Sequence, residues 1–257
     1  MVTYSLKRSY RLKDLQEIDF KDLWGNYGIF TTMWIFGKPP KILFFESHIK
    51  NLIKSLQIFG IKKRFLKKDI LNILNLNLSK NTTYNHLLRV ALNKKIISVS
   101  LRKRISPKLD FNLKLVNLKR EKPQYKNLKY KKILSYLSKM DNSKSDIALV
   151  KKDKILETGT SNLLFIKNKK IFTPKKDYYE GNTYKFFKSK VKRIIKKDIL
   201  VKDLKNYDEI LLVGSGKGVA SVKMIKQINW KRKNLKVFKL FSKYYISEIK
   251  RCNKYKF

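Results

Sequence analysis

The feature that most restricts the fold is a rapid change of element type between Lys126 and Pro174. Tyr130, Ile133, Leu134, Leu137 and Met140 recur at helical spacing and predict one helix face, closed by Asp141-Asn142-Ser143. A strand at Ile147 to Val150, a turn at Lys151 to Lys154 and a strand leading into Glu157 follow. After the small polar run Thr158-Gly159-Thr160-Ser161, Asn162 to Pro174 reads as a hairpin turning at Asn168-Lys169. A period that switches from 3.6 to 2 within so short a span predicts a mixed layer of helices and strands.

The first half shows the same mixture. Ile29 to Phe36 is apolar and β-prone, Gly37-Lys38-Pro39-Pro40 breaks it, and Ile42 to Phe45 completes a predicted hairpin. Ser47 is placed to cap a helix whose apolar positions, Ile49, Leu52, Ile53 and Leu56, continue to Gly60. His48, at its start, suits capping or packing before catalysis. A helix over Lys67 to Leu76 and three strands, TTYNHLLRVALN, KKIISVSLRKR and DFNLKLVNLK, complete a half expected to be mostly antiparallel. Pro123 marks the boundary, since proline stops a strand. The expectation is therefore an α/β (α+β) chain of two domains, a smaller one over 1–122 and a larger one over 123–257.

Composition narrows the function classes. With 257 residues, 43% of them hydrophobic, the chain can bury a sizeable core. One cysteine, Cys252, excludes an internal disulfide framework and a cysteine-rich zinc site, and no metal site is expected. Neither a signal-peptide pattern nor a run of about 20 apolar residues is present, which points to a cytoplasmic protein with no membrane partner. The formal charge of +43 invites a nucleic-acid partner. Its basic residues are spread through every element, whereas a binding patch is local, so compositional drift explains the charge better.

Four local features remain. Lys126 precedes the predicted helix, and Glu157 sits on a strand. Gly181-Asn182-Thr183 opens a helix with the stripe Tyr184, Phe187, Val191 and Ile194, and such a helix start offers free N–H groups to an anion. Gly214-Ser215-Gly216-Lys217-Gly218 joins the strands Ile210 to Val213 and Val219 to Ile225, with the wrong spacing for a dinucleotide or Walker loop. Each alone reads equally as a cap or a turn. A last helix, Leu235 to Ile249, closes the chain, with Cys252 a bystander. Together the four features suit pyridoxal 5'-phosphate, which takes a lysine amine, a carboxylate at its pyridine nitrogen and N–H donors at its phosphate.

The run ETGTSNLLFIKNKKIFTP followed by EGNT resembles the E-G-x-x-x-N-hydrophobic, T-P and P-G-x-T motifs of the fold type IV pyridoxal-phosphate enzymes, the class IV aminotransferase family. The similarity extends from about Gly25 to the last helix. It implies that Lys126, in Lys126-Asn127-Leu128-Lys129, binds the cofactor covalently and that Glu157 meets its ring nitrogen. It further implies that Gly181, Asn182 and Thr183 meet the phosphate, with Ser215 and Gly216 at phosphate or substrate, in an interdomain cleft. GIFTTMWI with ESHIKNL resembles the lyase version of the family, since aminotransferases more often carry glutamate where Thr31 stands.

Two departures mark this chain. Asn51 stands where the family's H-x-x-R-L supplies a phosphate-binding arginine, and Lys129 replaces the asparagine of K-x-L-N, leaving Tyr130 to reach the ring hydroxyl. The resemblance implies an aminodeoxychorismate lyase, releasing pyruvate from 4-amino-4-deoxychorismate to give 4-aminobenzoate for folate synthesis. The alternatives are an aminotransferase for branched-chain or D-amino acids, a non-catalytic relative, or a basic binding protein. A small amino substrate and a homodimer are expected on the same ground.

Overall fold

A computed structural model describes residues 4–255 and divides them into two compact units. The first comprises residues 4–104, 125–130 and 251–255, and the second comprises 105–124 and 131–250. The chain thus changes unit after Arg104, Gln124, Tyr130 and Lys250.

In the first unit, β1 (Tyr4–Arg11), β2 (Glu17–Ile18), β3 (Ile29–Gly37), β4 (Lys41–Ile42), β5 (Tyr84–Leu92) and β6 (Ile96–Lys103) form an antiparallel sheet ordered β2-β1-β6-β5-β3-β4. Helices α1 (Phe45–Leu56) and α2 (Leu66–Asn77) contribute Ile49, Leu52 and Ile70 to a core with Met33 and Ile35 of β3 and Leu88 and Val90 of β5. Alternation along a strand therefore turns Phe30, Thr32 and Trp34 to the opposite face. The register Thr32↔Arg89 puts Arg89 on that face too. The second strand of the predicted hairpin is only two residues long, because Phe44 takes a left-handed conformation (φ 57°) and turns the chain into α1. Ser47 is consequently inside the first turn, and Phe44, not Ser47, is the N-cap. Gly60 ends the following 3-10 turn, as expected, at φ 60°.

In the second unit, β7 (Phe111–Asn117) is followed by α3 (Lys131–Leu137), β8 (Ser145–Lys151), β9 (Lys154–Thr158), β10 (Asn162–Lys167) and β11 (Lys170–Pro174). Then come α4 (Asn182–Lys190), β12 (Ile194–Lys197), β13 (Ile199–Leu200), β14 (Glu209–Gly214), β15 (Gly218–Ile225), β16 (Trp230–Lys231) and α5 (Lys236–Arg251). The sheet order is β12-β11-β10-β14-β15-β7-β8-β9-β13, with β16 paired to β15. β7 belongs to this sheet, parallel to both β8 and β15, and not to the antiparallel half in which its sequence position suggests it. Such pairing is decided by distant strands, which alternation alone cannot identify.

Two helices are shorter than their periodicity suggests. α3 begins after Tyr130, which packs in the first unit. α4 stops at Lys190, since Val191 is extended and Ile194 pairs in parallel with Ile171 of β11, so the edge pairing overrides the helical spacing. α5 is anchored by the buried Glu209, whose carboxylate accepts from the N–H groups of Val237 (2.8 Å) and Phe238 (3.0 Å). Phe241 of α5 stacks on Phe187 of α4 at 4.5 Å. Among the described residues no helix is long and apolar enough to cross a membrane, and no group of three or more His, Cys, Asp or Glu could hold a metal ion.

Gly28, immediately before β3, is required for a close approach. A Cβ there would lie 2.2 Å from the Leu92 carbonyl oxygen and 2.8 Å from a methyl of Leu128. Backbone cannot yield as a side chain can, so Gly28→Ala is expected to destabilise the protein by about 1–3 kcal/mol or more. A lowered urea midpoint checks this, and an unchanged one contradicts the packing described.

Candidate functional site

In the first unit, Lys126 to Tyr130 run beside the start of β3. The N–H of Phe30 donates to the Lys126 carbonyl (2.9 Å), Leu128 N–H to Gly28 (2.9 Å), and Gly25 N–H to Leu128 (2.8 Å). These bonds fix the backbone of Lys126. Its ammonium lies 5.2 Å from the centre of the Phe30 ring. Phe30 also packs edge-on against Trp24 (4.7 Å) and Tyr130 (5.4 Å), so Lys126 and Tyr130 share an aromatic wall. Arg89 stacks on Trp24 at 4.5 Å and pairs with Asp22. Its Nε and Nη1 are buried without a hydrogen-bond partner among the described residues. Asn51 lies on α1, its carbonyl accepting from the Ser55 hydroxyl. On the helix-covered face, Thr31 and the buried His48 bond through Oγ1 and Nδ1 at 2.7 Å, so His48 packs against the sheet through its own partner.

In the second unit the sheet places Glu157 near the end of β9, nearly without solvent contact. Arg120 grips it with two parallel bonds, Nε to Oε1 at 2.6 Å and Nη2 to Oε2 at 2.9 Å, with side-chain exposures of 2% and 6%. Arg120 Nη2 also donates to the Pro123 carbonyl (2.8 Å). This fork fixes the plane of the carboxylate. Glu157 Oε2 accepts from Tyr179 N–H at 3.4 Å, tying it to the loop that enters α4.

Asn162 holds the same loop. Its Nδ2 donates to the Tyr179 carbonyl (2.6 Å) and its Oδ1 accepts from Gly181 N–H (3.0 Å). Gly181 is the N-cap of α4, and Asn182 and Thr183 form its first turn, both buried. Thr183 Oγ1 has no hydrogen-bond partner among the described residues, although it is buried. A buried orphan hydroxyl at a helix N-terminus suits an anion that would take its proton donor together with the first-turn N–H groups. Beneath this turn, burial pushes the Tyr178 hydroxyl up to about 12 and raises that of Tyr184 as well. Burial also works to raise the Glu180 carboxyl, but its hydrogen bond to Lys196 (2.5 Å) and that charge outweigh it and hold the carboxyl below its ordinary value.

The turn bearing Ser215 and Gly216 packs against the loop after Glu157. A Cβ on Gly214 would stand 2.9 Å from Ser161 Oγ and 3.2 Å from the Thr160 carbonyl, so the two backbones meet closely. That loop is self-braced: Thr158 Oγ1 accepts from the N–H groups of Thr160 (3.2 Å) and Ser161 (2.7 Å). Glu157, Gly181, Asn182 and Thr183 are thereby linked through Asn162, and the Ser215-Gly216 turn through residues 158–161. Lys126, Tyr130 and Asn51 belong to the first unit.

Sequence reasoning missed Arg120 and the clamping role of Asn162. A signal for the first existed. Only ten of the 62 basic residues are arginines, and a bidentate grip is a task that lysine cannot take over. The donor set fits pyridoxal phosphate: an oriented buried carboxylate for the ring nitrogen, and a helix start with an orphan hydroxyl for the phosphate.

Comparison with known proteins gives the same reading. The family model for amino-transferase class IV matches residues 28–225. No curated protein sequence matches the chain. Among solved structures, a branched-chain aminotransferase from Thermoproteus uzoniensis, crystallised with norvaline, superposes with a TM-score of 0.74 at 14% identity, covering 95% of this chain and 93% of that one. A Legionella pneumophila protein provisionally assigned as a 4-amino-4-deoxychorismate lyase gives 0.69 at 16% identity, over 86% and 91%. A hypothetical aminotransferase from Mycobacterium tuberculosis in its PLP-bound form gives 0.69 at 13% identity, over 95% and 99%. The fold is that of the fold type IV pyridoxal-phosphate enzymes.

Three variants test these contacts, the first two by denaturant unfolding. Arg120→Met strands a buried carboxylate and is expected to cost about 3–5 kcal/mol. Asn162→Ala releases two bonds to the 179–181 loop and should cost about 1–3 kcal/mol. The Glu180 pair contributes stability above the ordinary glutamate value near 4.5, lost as pH falls through the lower folded value. Lys196→Met should remove this acid-side loss, under about 1 kcal/mol because the pair is partly exposed, as read by thermal unfolding from pH 7 downward.

Proposed function

Because the chain belongs to the class IV aminotransferase family, whose members are enzymes that use pyridoxal 5'-phosphate, we propose that it is an aminodeoxychorismate lyase. It would release pyruvate from 4-amino-4-deoxychorismate and leave 4-aminobenzoate, a precursor for folate synthesis. The observation that carries the choice is Thr31. Where the aminotransferases more often carry a glutamate, this chain has a hydroxyl bonded to His48 and buried beneath α1. No carboxylate is therefore presented from that position of β3.

The side chains divide the work. Bound pyridoxal phosphate supplies an electron sink for the charge that develops beside the substrate amine. Lys126 would hold the cofactor through its Nζ, which a bound substrate amine would free. Its freed Nζ then takes the proton from the substrate carbon that bears the amine. The ring C–O bond to the three-carbon enol side chain would then break, the proton would return to that group's methylene carbon to give pyruvate, and the ring left behind would be aromatic, which drives the elimination. Glu157, oriented by Arg120, pairs with the ring nitrogen. Gly181, Asn182 and Thr183 at the start of α4, with Ser215 and Gly216, receive the phosphate. Asn51, at the family's arginine position, meets the phosphate as an uncharged amide, and Tyr130 reaches the ring hydroxyl. Arg89, with two buried unpartnered nitrogens, suits a substrate carboxylate. The family resemblance extends the proposal to a cytoplasmic homodimer.

The test is an assay on aminodeoxychorismate without any keto acid. Pyruvate and 4-aminobenzoate should appear together, and Lys126→Ala should abolish both and the visible absorbance band of the holoenzyme. Turnover only when a keto acid is added, with amino acids as donors, would identify an aminotransferase instead. Absence of cofactor binding by the wild type would remove the enzymatic reading altogether.

A further inference from the structure

Two buried charged side chains of the second unit, Asp146 and Lys217, form with the exposed Thr160 a cluster that the proposed chemistry does not use. Lys217 Nζ lies 3.0 Å from Asp146 Oδ2 and donates to Thr160 Oγ1 at 2.7 Å. Thr160 Oγ1 donates in turn to Asp146 Oδ2 at 2.7 Å. The other carboxylate oxygen of Asp146 accepts from Ile147 N–H at 2.8 Å. Asp146 is fully buried and Lys217 only 9% exposed, its ammonium 5.3 Å from the centre of the Phe111 ring. Each member comes from a different place: Asp146 from β8, Thr160 from the loop after Glu157, and Lys217 from the turn between β14 and β15.

In sequence, Gly214-Ser215-Gly216-Lys217-Gly218 offers backbone N–H groups that can cradle an anion, with a lysine among them. The geometry gives that lysine another partner. An ammonium already paired with a buried carboxylate contributes little net field outside the pair, and a phosphate would have to compete with Asp146 for it. The close approach of Gly214 to Thr160 and Ser161 brings the turn to the loop, and the cluster holds it there.

We propose that Lys217 is a positioning residue: with Asp146 and Thr160 it locks the Ser215-Gly216 turn onto the loop carrying Glu157 and Asn162. The phosphate is then met at this turn by backbone N–H groups and the Ser215 hydroxyl, not by the lysine charge. This rests on the pyridoxal-phosphate reading above. It makes the run 157–162 a common support for the ring-nitrogen partner, the α4 turn and the glycine turn.

The experiment measures dissociation constants of the full-length apoprotein for pyridoxal phosphate and for pyridoxal, which lacks the phosphate, beside thermal unfolding. The variants are Lys217→Met, Asp146→Asn and the double substitution. Each single variant should weaken pyridoxal phosphate by about tenfold or more and leave pyridoxal within about twofold. The double variant should recover most of both affinity and melting temperature, because neither charge is left buried alone. If Lys217 were a direct phosphate ligand, Asp146→Asn would tighten pyridoxal phosphate and the double variant would be as weak as Lys217→Met; either result overturns the proposal. Equal weakening of both ligands does so as well, since it reduces the cluster to general stability. Should the single variants not fold, Lys217→Arg, which keeps the charge but alters its reach, is compared on the same two ligands, with a phosphate-selective loss expected. A wild type that binds neither ligand overturns the cofactor reading itself, which separates that failure from failure of the clamp.

Discussion

The arrangement of the second unit depends on the ion pair between Arg120 and Glu157. Two charges removed from water are tolerable only together, and leaving either alone would cost several kcal/mol. The pair is bidentate and buried, so the carboxylate has one plane and one direction. Since Glu157 closes β9 and begins the run to Asn162, fixing it also fixes where that run starts. From there, Asn162 reaches the loop before α4, and Thr160 reaches the turn between β14 and β15.

A single short loop thus holds two separate backbone segments, the first through side-chain bonds to backbone groups and the second through a side-chain bond. Such bonds are directional, which suits a cofactor that must be met at two ends. The apolar core beneath, with Phe165, Ile210 and Leu212, supplies stability without specifying direction. Glu209 works in the same way at the far end of β14, where its carboxylate anchors α5 through two N–H groups. In each case a buried carboxylate is satisfied before anything else is built on it.

The excess of lysine makes this selectivity visible. Most basic side chains are exposed and each contributes little. Where geometry demands a fork, as at Glu157, an arginine remains. Where a point charge is enough, as at Asp146, a lysine serves. The family's phosphate-binding arginine has no counterpart at Asn51, and the buried lysine of the glycine turn is already committed to Asp146. In the second unit the first turn of α4, with the buried Thr183 hydroxyl, and the glycine turn offer uncharged donors.

Much was legible from local pattern. The hairpin at Asn168-Lys169, the helix start at Gly181 and the glycine turn at 214–218 follow from turn chemistry and capping, which act within a few residues. The order of the motifs likewise pointed to the cofactor and the family. What the linear order could not decide was partnership across long separations. It did not reveal that β7 lies parallel to β8 and β15, that Phe44 sends the chain into α1 before Ser47, or that Ile194 leaves the helical pattern to pair with Ile171. Nor did it single out Arg120 for Glu157 or Asp146 for Lys217. Those choices belong to the tertiary structure, because a buried charge is stable only where packing delivers its partner at hydrogen-bond distance, and sequence spacing does not encode that distance.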